Sequence, residues 1–223
     1  MPNLDSGGDG VRLHISPTGL AIVKAFEGCL APVKGRPGYF KPYVDPVGVP
    51  TIGYGHTNHH EPKFTSVTVW SQQQCDEALA ADMATFEDHV ARLAKVPLLQ
   101  REFDALVSWS YNTGGPSTAT LWRKLNAGDK ASVPKELAKW NRGGGKVLNG
   151  LVRRRKAESE LFAGNVAAAL ATAGAKAPVA APVKPPPDDS RRVVDTQSTQ
   201  PAPQPSIWAA FFMAIAAIFK RSK

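Results

Sequence analysis

The run from Tyr43 to Thr57 leaves its backbone few choices. Asp45-Pro46-Val47-Gly48 has Asp first and Pro second in a type I turn, with Gly available for the left-handed position, which is the pattern of a three-residue hairpin loop with a bulge. Pairing Asp45 with Val49 then sets Tyr43 opposite Thr51. Cross-strand partners share a face, so Asp45 and Thr51 project to the same side, whereas a two-residue loop would put them on opposite sides. Residues Lys41 to Thr57 are accordingly expected to form a small antiparallel sheet.

Before the hairpin, Ser16 offers an N-cap, Pro17 a first helical position and Gly28 a stop just past the end. Leu20, Ile22, Val23 and Phe26 fall on one side of this helix. Glu27 lands between Val23 and Leu20 at the edge of that stripe, so a carboxylate is aimed at the packed side. After the hairpin the period becomes helical. Ser71 and Gln74 form a capping box, and Leu79, Met83, Phe86, Val90 and Leu93 step toward Pro97. A second helix carries Phe103, Leu106, Val107 and Ser110 up to Asn112-Thr113-Gly114-Gly115. Shorter helices cover about 117–127 and 134–140, and a last one runs from near Gly150 to Phe162. The fold class is α+β, mostly helical, with one small antiparallel sheet.

Residues 1–15 read as a flexible arm, 16–166 as the folded domain and 167–205 as an extended Pro/Ala-rich linker with little to bury. Residues 206–223 form a hydrophobic segment with a basic end. Its apolar run, 207–219, is about 20 Å long if helical, against roughly 30 Å of bilayer hydrocarbon, and it has no polar face. Trp208 at one end and Lys220, Arg221 and Lys223 at the other suit partial insertion, with the basic end at anionic headgroups. Folding back onto the domain is the alternative. The polar, Gly-rich stretch Met1 to Val11 lacks the apolar centre of a secretory signal, so a cytoplasmic start is expected.

A hydrophobic content of 43% supports a real core and excludes a disordered chain. The net charge of +8 favours polyanionic partners: nucleic acid, anionic membrane, lipopolysaccharide or the acidic polymers of a bacterial wall. No nucleic-acid motif accompanies the basic run Arg153-Arg154-Arg155-Lys156, and attraction to an anionic wall explains it with fewer assumptions. Cys29 and Cys75 are too few for a disulfide scaffold and are expected to be buried free thiols. His56, His59, His60 and Glu61 follow no recognised ligand spacing, so no metal is expected.

Glu27, Asp45 and Thr51 are the equipment for adding water across a glycosidic bond. A Glu on an apolar helix face has the setting that keeps a proton available near neutrality. Asp45, in a turn with solvent access, can stay ionised, and the Thr51 hydroxyl can hold a water beside it. Singly, each has an ordinary reading as a solvated charge, a turn former or β-branched filling.

The text around them resembles the phage-type lysozymes, the endolysins of glycoside hydrolase family 24, over roughly Ser16 to Ala163. The matching pieces are Phe26-Glu27-Gly28, the Asp45 to Thr57 string, Ala105-Leu106-Val107-Ser108 with Tyr111-Asn112, Leu125-Asn126-Ala127-Gly128-Asp129, and Gly144-Gly145 through Arg155. The resemblance implies a two-lobed lysozyme-like domain with the sheet at its cleft. It implies Glu27 as general acid, Asp45 as second catalytic carboxylate and Thr51 as water-positioning partner. Tyr54, His56, Tyr111 and Asn112 become candidate substrate contacts, with burial at the helix end and in the core an equal alternative for Tyr111 and Asn112. The implied reaction is hydrolysis of the β-1,4 bond between N-acetylmuramic acid and N-acetylglucosamine in peptidoglycan, with inversion and no cofactor. It would be carried out by a monomer that leaves the host cytoplasm through a holin-opened membrane for the periplasm and wall. A lytic transglycosylase, or a wall-binding or membrane-active protein with a vestigial cleft, is the alternative. Residues 29–40 stretch the interval from Glu27 to Asp45 beyond the family's usual one. The Asp45 to Thr51 spacing is unchanged, so an enlarged loop at the cleft mouth is expected.

Overall fold

The computed structural model describes residues 12–45 and 48–178. The central turn residues Pro46 and Val47, most of the expected arm, residues 179–205 of the expected linker and the hydrophobic 206–223 segment lie outside the described residues. Helix α1 (Pro17–Glu27) leads into five short strands: β1 (Tyr39–Phe40), β2 (Tyr43–Val44), β3 (Pro50–Ile52), β4 (His56–Thr57) and β5 (Trp70–Ser71). Then come α2 (Gln72–Leu93), α3 (Gln100–Thr113), α4 (Thr120–Asn126), α5 (Val133–Ala138), a hairpin of β6 (Arg142–Gly143) and β7 (Lys146–Val147), α6 (Asn149–Phe162) and α7 (Val166–Ala173).

The caps act where the sequence puts them. Ser16 Oγ accepts from Gly19 N at 3.2 Å, and Gly28 leaves α1 at φ 65°. Ser71 and Gln74 close their capping box on α2, and Gly114 ends α3 in the left-handed conformation. The hairpin register is also as expected, with Tyr43 opposite Thr51 and Thr51 opposite Thr57 in the antiparallel order β2-β3-β4. Asp45 N donates to Val49 O and Gly48 N to Asp45 O, both at 3.0 Å, as a three-residue loop requires.

Two hydrophobic cores divide the chain. The larger gathers Ile22 and Val23 of α1, Leu79, Met83, Phe86 and Val90 of α2, and Phe103, Ala105, Leu106, Val107, Trp109 and Tyr111 of α3, closed over by α4 to α7. The smaller contains Phe40, Ile52, Phe64, Trp70, Cys75 and Ala78. Helix α2 serves both, its first turns in the small core and the rest in the large one, which makes it the strut between two lobes.

The long segment 29–40 is anchored to the small core at its two ends, Cys29 and Phe40, while residues 34–39 are exposed. Phe40 pairs with Trp70 across β1 and β5 and is buried, Pro32 bridges back to Phe40, and Leu30 N donates to Gly53 O at 3.3 Å. Two expected boundaries are corrected. Residues 12–15 are tied down: Arg12 pairs with Asp88, His14 Nδ1 lies 2.8 Å from Glu87 Oε2, and Ile15 N donates to Glu87. Residues 167–173 are a helix and not an extended linker, because Gly164 ends α6 at φ 95° and the following Ala-rich stretch is a strong helix former. Ala169, Leu170 and Ala173 bury against the large core.

Candidate active site

Glu27 ends α1 with its side chain wholly inaccessible. Its Oε1 accepts from Arg154 Nη1 at 2.5 Å, a contact between residues 127 positions apart. Arg154 Nε also donates to Glu158 Oε1 at 3.1 Å, and Arg155 Nε lies 2.8 Å from Glu158 Oε2. Ser108 Oγ donates to Glu158 Oε1 at 2.7 Å, and Arg155 Nη2 donates to Asn112 Oδ1 at 2.9 Å. Two guanidinium groups and two carboxyl groups are thus buried together, the setting in which buried ions are tolerable because each is paired and hydrogen-bonded. Burial raises the Glu27 pKa above the usual carboxylate range, against the lowering influence of Arg154. The result is a carboxyl inclined to keep its proton.

The hairpin side is built by local hydrogen bonds. Val49 N donates to Asp45 Oδ1 at 2.8 Å, and Thr51 Oγ1 donates to Val49 O at 3.0 Å. Asp45 and Thr51 are both buried, which corrects the expected solvent access of Asp45: the turn folds its carboxylate onto Val49 N. With its proton committed to Val49, the Thr51 hydroxyl presents lone pairs, so toward a water it is an acceptor.

Tyr43 joins the two sides. It precedes Asp45 by two residues, and its hydroxyl is buried with no hydrogen-bond partner among the described residues. Burial first, then the negative charges of Asp45 and Glu27, push the phenol up, so both carboxylates lie within electrostatic reach of one group. Tyr111 is raised by burial and next by Glu27, and its hydroxyl donates to Tyr54 O at 3.3 Å. A cavity of about 340 Å³ opens on the other flank of the hairpin, between Tyr43, Val44 and Pro50 and the loop residues Asn58 and Phe64 to Ser66. Neither Glu27, Asp45 nor Thr51 lines it.

The four candidate substrate contacts divide. Tyr54 is half-buried and its hydroxyl accepts from Gln72 Nε2 at 2.9 Å. His56 is sealed in the small core, its Nδ1 3.0 Å from Asp82 Oδ2, its Nε2 2.9 Å from Pro62 O and its ring against Trp70 and Phe64. Both ring nitrogens are used, so the expectation that it touches substrate is corrected: His56 holds β4 to α2. Burial disfavours its charge, but the hydrogen bond and charge of Asp82 prevail and raise its pKa. Tyr111 and Asn112 are buried as well and support the site from behind. Among the described residues no group of three His, Cys, Asp or Glu is placed to hold a metal ion.

The basic run near residue 154 is corrected too. Arg153 and Lys156 face outward, but Arg154 and Arg155 are 3% and 1% exposed. The signal was present: Leu151, Arg154, Arg155, Glu158, Leu161 and Phe162 recur at helical spacing on one stripe of α6. Charge type hid what spacing offered.

A lysozyme-like α+β fold, with a buried acid on one lobe and a hairpin carboxylate on the other, defines a class of domain, and comparison with known proteins agrees. The family described as phage lysozyme matches residues 25–158. The endolysin of Bacillus phage B103 is 38% identical over 152 residues, which is 67% of this chain and 54% of that protein, so the chain spans just over half the length of that relative. Among solved structures, the endolysin from Escherichia coli O157:H7 phage FAHEc1 superposes with a TM-score of 0.59 at 32% identity, covering 69% of this chain and 95% of the other. The muramidase domain of SpmX from Asticaccaulis excentricus gives 0.55 at 29%, covering 68% and 98%. The chain belongs to the phage lysozyme family.

Proposed function

We propose that this chain is a muramidase of the endolysin type, hydrolysing the β-1,4 bond between N-acetylmuramic acid and N-acetylglucosamine in peptidoglycan. The observation that carries the reading is the contrast between Glu27, whose pKa burial raises, and Asp45, held by the hairpin with Thr51 beside it. Glu27 protonates the leaving oxygen. Asp45 accepts a proton from a water that also donates to Thr51 Oγ1, leaving a lone pair of that water free to attack the anomeric carbon from the opposite face, with inversion. Because the Glu27 side chain is wholly inaccessible, a glycan reaches it only after the groups that cover it move.

The chain's net positive charge supports an acidic wall as the surface it works on. Release from the host cytoplasm to the periplasm through a holin-opened membrane, and contact of the 206–223 segment with an anionic membrane, belong to the same proposal. Co-sedimentation with anionic liposomes of the full chain and of a version ending at Pro205 tests the membrane contact; equal partitioning rejects it.

Turbidity loss on purified peptidoglycan, with wild type and Glu27→Gln, tests the reaction. Wild type is expected to clear the suspension and Glu27→Gln to match buffer. Clearing by both, or by neither, overturns the assignment. Reducing-end analysis of the products decides hydrolysis against transglycosylation, since a 1,6-anhydro end excludes attack by water.

A further inference from the structure

Two reactive side chains take no part in this chemistry. Cys29 follows the Gly28 stop of α1 and is half-buried; Cys75 sits in the first turns of α2 and is buried; both are free. Cys29 packs on the small core to which Cys75 belongs, and each thiol stands within electrostatic reach of the other. Gly53 closes the pair from the hairpin side. A Cβ there would stand 3.0 Å from Cys75 Sγ, and Gly53 O receives Leu30 N from the residue next to Cys29. The two cysteines are therefore gathered on one side of the small core, both beside Gly53.

We propose that Cys29 and Cys75 are a modification site: a dithiol that a disulfide oxidant converts to an intramolecular disulfide, fastening the end of α1 to the start of α2 around the hairpin. The half-buried Cys29 is the sulfur an outside disulfide can reach. Its thiolate attacks one sulfur of R–S–S–R, that bond breaks, and R–S⁻ leaves and takes up a proton. The Cys75 thiolate then attacks Cys29 Sγ in the mixed disulfide and expels the second R–S⁻. Two protein thiols are oxidised and one disulfide is reduced to two thiols, so electrons and protons balance. While both are reduced, the negative charge is favoured on Cys75, as it is by the start of α2, so Cys75 serves as the base that takes the proton of Cys29 as it attacks and then passes it to the departing R–S⁻. The closed loop, residues 29–75, contains the segment 29–40 together with Asp45 and Thr51.

The test uses the full-length protein equilibrated with oxidised glutathione, quenched in acid and read by intact mass and peptide mapping. Wild type is expected to lose the mass of two hydrogen atoms, to give a Cys29–Cys75 cross-linked peptide and to retain no glutathione. Its melting temperature should rise by about 5 °C or more over the dithiothreitol-treated form, as expected for a loop of this length. Cys75→Ser is expected to retain one glutathione and Cys29→Ser none. Wild type that keeps glutathione, links to a second chain or leaves both thiols free overturns the proposal. The wild-type peptide map is decisive even where a Ser variant fails to fold. None of these readouts involves lysis, so failure of the muramidase reading leaves the test intact.

Discussion

The two carboxylates are held by opposite means. Glu27 is fixed by a long-range buried charge network, Arg154 and Arg155 with Glu158 behind it. Asp45 is fixed by the backbone of its own turn, through Val49 N. A side chain held by distant packing takes its proton affinity from the packing, whereas one held by its own turn keeps its place as long as the turn forms. Burial accordingly drives Glu27 toward the protonated form.

The largest expected effect comes from disarming the hairpin side without unfolding it. Asp45→Asn keeps an acceptor for Val49 N, so it should lower kcat by about 10²–10⁴-fold while changing stability by less than about 1 kcal/mol; calorimetry beside the turbidity assay checks both. An equal loss of fold and activity would break the distinction between the two sides.

Arg154→Met attacks the other side. It leaves two buried carboxylates without their shared guanidinium and should cost about 3–5 kcal/mol by denaturant unfolding. Because Arg154 lowers the Glu27 pKa, its loss should raise that pKa further and move the alkaline limb of the pH–rate profile upward. A limb that stays in place would detach Glu27 from that titration.

His56→Asn tests the strut between β4 and α2, and should cost about 3 kcal/mol. The folded pKa of His56 is raised, so its ion pair contributes fully below the ordinary value of about 6.5 and is lost as pH climbs through the folded value. The cost measured at about pH 5.5 should exceed that at about pH 9. Smallest is Thr51→Ala, expected to reduce kcat about tenfold by loosening one hydrogen bond to the attacking water. Thr51→Ser should recover most of it.

The hairpin side was almost wholly legible in the sequence. Turn chemistry at Asp45 and Gly48 fixed the register, and the register put Asp45 and Thr51 on one face. The inward aim of Glu27 was legible as well, since it follows from helical period alone. The partner of Glu27 was not, because spacing on α6 marks Arg154 and Arg155 as inward-facing but does not say which distant carboxylate they meet. His56 shows the same limit. It shares the hairpin string, yet Asp82, on a later helix, takes its ring into the small core. The Ala-rich residues after Gly164 misled by composition, since extended linkers and docked helices draw on the same small apolar residues.

By itself, the sequence determined what short-range forces decide: the capped ends of α1 and α2, the hairpin register, and which face of each helix is apolar. Tertiary structure alone decided which charges are buried together, whether a histidine faces glycan or core, where residues 29–40 lie and that two distant cysteines share one core. The reason is range. Caps, turns and periodicity depend on neighbours within a few residues, but desolvation and ion pairing depend on every chain segment that packs nearby, and Glu27 acquires its chemistry from an arginine 127 positions away.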